Sequence, residues 1–132
     1  MLEMYLEKDP NIIKTFLDKE VDDKNEFVVL KEKNEILGVL EFLQINPLVG
    51  EIKEIRIMNK EFSMKDGLVK ASLNFMFNRG IFFAINKENN LKHYGFEKDN
   101  EDLILKEFKD YYSLDLNKWV NNSCCKGGCN GK

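Results

Sequence analysis

Glu51-Ile-Lys-Glu-Ile-Arg-Ile-Met58 reads as a strand, and Ser63-Met-Lys-Asp-Gly-Leu-Val69 reads as the turn that opens a helix. The helix stops at Arg79-Gly80, the fully apolar run Ile81-Phe-Phe-Ala-Ile85 follows, and a short helix then ends in His93-Tyr-Gly-Phe96. Asp66 is a residue type that caps helices, with Gly67 in the first turn. Leu68, Val69, Ala71, Leu73, Phe75, Met76 and Phe77 leave only a narrow polar face at Lys70, Asn74 and Asn78. A helix so apolar packs against a sheet. Gly80 suits the position just past its end. Ile81–Ile85 has no polar position, as expected of an interior strand. A helix N-terminus fed by a glycine turn after a strand presents unpaired N–H groups, which suit an anion such as a phosphate.

Outward toward the N-terminus, residues 2–6 alternate as a strand. Asp9-Pro10 reads as an N-cap followed by proline at the first helical position. Ile12, Ile13, Phe16 and Leu17 form the apolar stripe of a helix that ends near Asp22. Phe27–Leu30 and Ile36–Ile45, around the polar Lys31–Glu35, predict a hairpin. The 51–58 strand has a phase fault: Ile52 faces one way, Ile55 and Ile57 the other. A β-bulge near Lys53-Glu54 explains it, and so does one exposed isoleucine. Toward the C-terminus, Phe96–Lys98 and Leu103–Phe108 read as a strand pair across Asp99–Asp102. Tyr111, Tyr112, Leu114, Leu116, Trp119 and Val120 form a last packed segment. The order is β-α-β-β-β-α-β-α-β-β. It predicts an α/β domain over residues 1–120, a mixed, mostly antiparallel sheet with helices on both faces, and a flexible tail over 121–132.

The 132 residues suit one domain, and 43% hydrophobic with 33% charged residues is ordinary for a globular protein. A net charge of −3 gives no electrostatic reason to expect nucleic acid or an anionic membrane as partner. The N-terminus lacks the basic flank and apolar run of a signal peptide. No run approaches the roughly 18 apolar residues of a membrane span. The chain therefore reads as cytoplasmic.

The layout resembles the GNAT-type N-acetyltransferases over most of residues 1–108, with recognisable sequence in 51–96. In that family the central strand precedes a loop of pattern Arg/Gln-x-x-Gly-x-Gly/Ala, whose N–H groups hold the pyrophosphate of acetyl-CoA. Met64-Lys-Asp-Gly-Leu-Val69 takes its place here. Gly67 matches the first glycine, Leu68 the residue between, and Lys70-Ala71 the Lys-Ala that commonly follows. Met64 and Val69 depart from the pattern. The resemblance implies acetyl-CoA as cosubstrate, held at Gly67, Leu68, Val69, Lys70 and Ala71. Its pantetheine arm would lie on the backbone of Ile55, Arg56 and Ile57, with Asn86 near it. Asn86 also reads as a simple strand-ending turn residue. Aligned on Gly95-Phe96, the usual general-acid tyrosine is replaced by Leu91, which cannot donate a proton. Tyr94 is the substitute if the short helix is offset, and otherwise a packed aromatic.

Acyl transfer requires an amine to lose a proton and a thiolate to leave. Glu54 is the leading base and Glu51 the second; each also reads as a solvent-facing strand glutamate. His93, the single histidine, reads as a surface residue and makes no metal site by itself. One short helix after the first strand leaves the acceptor side open, completed by a second subunit in a homodimer, or absent. The acceptor would be an amine on a small molecule or peptide. Two other readings stay open. In one, a GNAT-like scaffold without its proton-transfer residue serves as a binding or sensing module. In the other, Cys124, Cys125 and Cys129 carry a thiophilic metal or redox chemistry. The same cysteines also fit an unstructured tail with reduced thiols. Clustered and odd in number, they make no disulfide framework.

Overall fold

The computed structural model describes residues 2–22, 24–58, 62–88, 90–98 and 102–126, with the backbone alone at 62, 63 and 122–126. Six strands form one mixed sheet in the order of the sequence: β1 (Leu2–Glu7), β2 (Glu26–Glu32), β3 (Glu35–Asn46), β4 (Val49–Ile57), β5 (Phe83–Asn86) and β6 (Tyr112–Asp115). The helices are α1 (Pro10–Leu17), α2 (Phe62–Asn78) and α3 (Leu116–Lys126). β1–β2, β2–β3 and β5–β6 are antiparallel, and β4–β5 is parallel. α2 is the crossover that a parallel pair requires. The chain divides into two compact units, Met1–Gln44 with Ile52–Leu73, and Ile45–Glu51 with Asn74–Lys132.

In the first unit, the Asp9 side chain accepts from the Asn11 N–H at 2.9 Å, and Pro10 opens α1. The helix ends at Leu17, short of Asp22, because Asp18 turns left-handed (φ 57°) and its N–H returns to the Lys14 carbonyl. Ile13 and Leu17 are buried with Phe27, Val29 and Val39, and Tyr5, Phe16, Val21 and Ile36 close around them. Full burial of each such aliphatic side chain stabilises by about 1.5–3 kcal/mol. The expected hairpin is β2–β3, turning at Lys33 (φ 58°). A register shift lies between Leu30 and Lys31, where Gly38 is opposite Leu30. Gly38 is required by close approach: a Cβ there would stand 2.5 Å from Ile57 Cδ1 and 3.3 Å from the Arg56 carbonyl. The Met58 N–H donates to the Leu37 carbonyl at 2.9 Å, fixing the end of β4 beside β3.

The start of α2 corrects the sequence reading. Phe62 to Lys65 are already helical, so Asp66 is not its cap. Asp66 lies within the helix and pairs with Lys70 one turn on, at 2.9 Å. Gly67 is an interior helical residue, a destabilising choice by about 0.5–1 kcal/mol against alanine. Met4 of β1 stands beside it, its Cε 3.5 Å from where a Cβ would be. The polar face falls where the sequence puts it, with Lys70, Asn74 and Asn78 exposed.

In the second unit, Gly80 closes α2 with φ 95°, its N–H on the Phe77 carbonyl. Phe82 and Phe83 both donate to the Leu48 carbonyl, so β5 is Phe83–Asn86 rather than Ile81–Ile85 and Phe82 is exposed. The parallel register runs Val49↔Phe83, Gly50↔Ala84 and Glu51↔Ile85. Among the described residues of the expected Glu88–Tyr94 helix, Lys92–Tyr94 form a 3-10 helix ended by Gly95 (φ 106°). Leu103–Phe108 is a second 3-10 helix, not a strand: the Asp102 side chain accepts from the Ile104 N–H at 2.9 Å and starts the turn. The partner of Phe96–Lys98 is instead Ser113 in β6, through a bridge to Glu97. Val49, Phe83, Ile85 and Leu105 form this unit's core with Leu48, Ile104, Phe108 and Tyr111. α3 carries Cys124 and Cys125, so part of the segment read as a flexible tail is helical. Cys129 lies outside the described residues.

Candidate functional site

β4 carries Glu54, the leading base candidate read from the sequence. Its burial alternates poorly: Val49–Ile52 are buried on both faces, Lys53 and Arg56 are exposed, and Glu54, Ile55 and Ile57 are half-buried. Glu54 is the centre of an ionic cluster within the first unit. Lys19, just past the end of α1, places Nζ 2.7 Å from Glu54 Oε1 and 3.4 Å from Glu41 Oε1. Arg56 Nη2 is 2.7 Å from Glu54 Oε2, and its Nη1 donates to the Leu17 carbonyl at 3.3 Å. Glu41, on β3, is only 5% exposed, and Asn25 Nδ2 donates to its other oxygen. A carboxylate this deep persists because both oxygens have donors.

The cluster sets the protonation of its members. Lys19 hydrogen-bonding holds the Glu54 carboxyl below the ordinary range; desolvation opposes this, and the Lys19 charge and Arg56 add to the lowering. The Glu54 hydrogen bond raises Lys19 above its ordinary value, partly offset by burial and helped by the charge of Glu41. Glu54 is thus an anion with both oxygens occupied by cations. It can anchor an ammonium group, but it is a weaker proton acceptor than an isolated glutamate.

The other sequence candidates are placed as follows. Ile55, Arg56 and Ile57 continue β4 beyond the residues registered with β5. Gly67, Leu68, Val69, Lys70 and Ala71 lie within α2, past its first turn. Their N–H groups are therefore directed to the carbonyls four residues back. At the start of α2, helix geometry leaves the N–H groups of Phe62, Ser63 and Met64 outside the intrahelical ladder. Leu68 and Val69 are fully buried. In the second unit, Glu51 is buried, and Asn86 is buried inside β5, registered with Tyr112, rather than following the strand. Leu91 is a fully buried core residue. Tyr94 is 8% exposed, and the His93 ring lies tilted against it with centroids 4.1 Å apart.

Lys19, Glu41 and Asn25 were not singled out from the sequence. One signal was present: Glu41 is the lone charge in the apolar run Ile36–Ile45, and an unpaired charge is rarely buried. Among the described residues, no group of three or more His, Cys, Asp or Glu is placed to hold a metal ion. No described helix is long and apolar enough to cross a membrane.

No protein-family profile matches the sequence. A search of curated proteins also finds no match. Solved structures do match. A spermidine/spermine N-acetyltransferase from Vibrio cholerae is similar with TM-score 0.68 at 12% identity, over 93% of this chain and 99% of that one. A GNAT family acetyltransferase from Elizabethkingia anophelis, with acetyl-CoA bound, is similar with TM-score 0.61 at 13% identity, over 86% and 97%. Tetrahymena GCN5 is similar with TM-score 0.62 at 18% identity, over 80% and 74%. The element order, the mixed sheet with its parallel β4–β5 pair across α2, and these similarities agree: the chain has the fold of the GNAT family acetyltransferases.

Proposed function

We propose that the protein is an acetyl-CoA-dependent N-acetyltransferase acting on an amine. The observation that carries this is the passage from β4 into the N-terminus of α2 within a GNAT fold, together with acetyl-CoA bound in a similar structure. In this reading the pyrophosphate lies on the first-turn N–H groups, Phe62 to Met64. That is one turn before the Gly67–Ala71 segment that the motif suggested. A helix N-terminus suits this charge through its free donors and its dipole. The pantetheine arm follows the backbone of Ile55–Ile57 as an added strand would. Glu54, directly before this segment, attracts the acceptor's ammonium group and assists its deprotonation.

Attack requires the neutral amine: its nitrogen adds to the thioester carbonyl, the C–S bond breaks, and the thiolate takes a proton. Glu54→Gln is expected to lower turnover by about 100-fold while leaving acetyl-CoA affinity unchanged. Tyr94 is the phenol that the sequence offers as a proton donor. A similar fall of about 100-fold in Tyr94→Phe supports that role, and unchanged turnover leaves the ring as packing.

Calorimetric titration with acetyl-CoA tests the reading, with Met64→Asp as control. A carboxylate in the first turn favours the helix but repels phosphate. Saturable binding, lost in Met64→Asp, supports the site; absence of binding at millimolar acetyl-CoA removes it. A second reading, a cofactor-binding module without turnover, is favoured by the buried Leu91 and by the ion pairs that occupy Glu54. Binding without transfer to any of a broad panel of amines would select it.

A further inference from the structure

Lys19 is placed as an acceptor has to be placed. Its Nζ is 2.7 Å from Glu54 Oε1, within the hydrogen-bond reach that a base needs of the proton it removes. Glu54 directly precedes the Ile55–Ile57 segment assigned above to the pantetheine arm. The left-handed Asp18 ends α1 one residue earlier and directs the chain so that the lysine reaches β3 and β4. Lys14 and Lys70 have partners away from β4, Glu20 and Asp66 respectively. The Lys19 side chain is 40% exposed, so a thioester can reach it.

We propose that Lys19 is an internal acceptor, and that the chain transfers an acetyl group from acetyl-CoA to its own Lys19 Nζ. The inference rests on the acetyl-CoA reading above. The Lys19 ammonium gives one proton to solvent by way of Glu54. The freed Nζ lone pair attacks the thioester carbonyl, the C–N bond forms, and the C–S bond breaks. The second nitrogen proton passes through water to the leaving thiolate. The products are an acetylated Lys19, the free thiol of coenzyme A and one proton. Holding nucleophile and donor on one chain replaces a bimolecular encounter. The product has lost the charge that joined Glu41 to Glu54, so acetylation also releases Glu54 from one of its two cations.

The groups facing Lys19 are Glu41 from β3 and Glu54 from β4, with Arg56 on the far oxygen of Glu54 and Asn25 on that of Glu41. The two carboxylates favour the charged amine, so transfer is slow at neutral pH and quickens by about tenfold per pH unit while the amine remains mostly protonated.

The test incubates the full chain with acetyl-CoA, maps acetylated peptides by mass spectrometry over time, and measures acetyl-CoA binding by calorimetry on the same preparation. Lys19→Arg keeps a cation for both carboxylates, and circular dichroism checks its fold. The expected result is one acetyl group per chain, on Lys19 ahead of every other lysine. Its rate should saturate with acetyl-CoA, fall when free coenzyme A is added, and not depend on protein concentration. Lys19→Arg should lose this phase and Lys14→Arg should keep it. Binding with acetylation spread evenly over the lysines would overturn the internal acceptor and leave the cofactor reading standing. No binding would overturn both.

Discussion

Glu54 accepts from Lys19 with one oxygen and from Arg56 with the other, so its carboxylate stays ionised to lower pH than an ordinary glutamate. A lowered folded value means that the folded state gains stability above the unfolded pKa, near 4.5, and loses it as pH falls through the folded value. Lys19 has the opposite sign: its contribution is full below its ordinary value of 10.5 and is lost as pH rises through the raised folded value. Between these limits the pair stabilises modestly, since both side chains are partly exposed. Glu54→Gln is therefore expected to cost about 0.5–1 kcal/mol at neutral pH. In urea melts the difference from wild type should vanish in acid; a constant difference down to pH below the folded value would refute the ionic account. Lys19→Met is expected to cost more, about 1–3 kcal/mol, because the buried Glu41 carboxylate loses a donor. The same melts measure it. The residues that meet here stand 22 and 35 apart in sequence, and no local pattern announces their meeting. The position of Glu54 on the central strand was legible, whereas its contact with Lys19 was not, because that contact comes entirely from where α1 ends.

Along α2 the elements that depend on local chemistry were legible. The exposed positions Lys70, Asn74 and Asn78 and the terminating Gly80 follow from helical spacing and backbone freedom, as Asp9-Pro10 does for α1. The start of α2 was not legible. Gly67 and Asp66 imitate a turn and cap, yet the residues before them continue the helix, and Asp66 satisfies itself through Lys70. This placement predicts the opposite of a phosphate-loop glycine. Gly67→Ala fills space beside Met4 without a close contact, so it should raise stability by about 0.5–1 kcal/mol and leave acetyl-CoA affinity unchanged. A loss of affinity in that variant would return the phosphate to the motif segment. Gly38→Ala should behave differently. Its Cβ collides with Ile57, on the strand assigned to the pantetheine arm, so stability should fall by about 1–3 kcal/mol and affinity should fall with it. Leu103–Phe108 has the apolar content of a strand, but the Asp102 side chain accepts from the Ile104 N–H and starts a 3-10 helix instead.

At the scale of the whole molecule, the order of elements was sufficient to suggest the fold, because a parallel β4–β5 pair joined by a helix constrains the topology strongly. The similarity to solved acetyltransferases at 9–18% identity agrees with that order. The central claim is that the first turn of α2 and the last residues of β4 hold acetyl-CoA. Amide NMR of the isotope-labelled protein during acetyl-CoA titration tests it most directly. The prediction is saturable shifts concentrated at Phe62–Met64 and Ile55–Ile57, with smaller shifts at Gly67–Ala71. Unchanged amides at millimolar acetyl-CoA, or shifts confined to other segments, would contradict it.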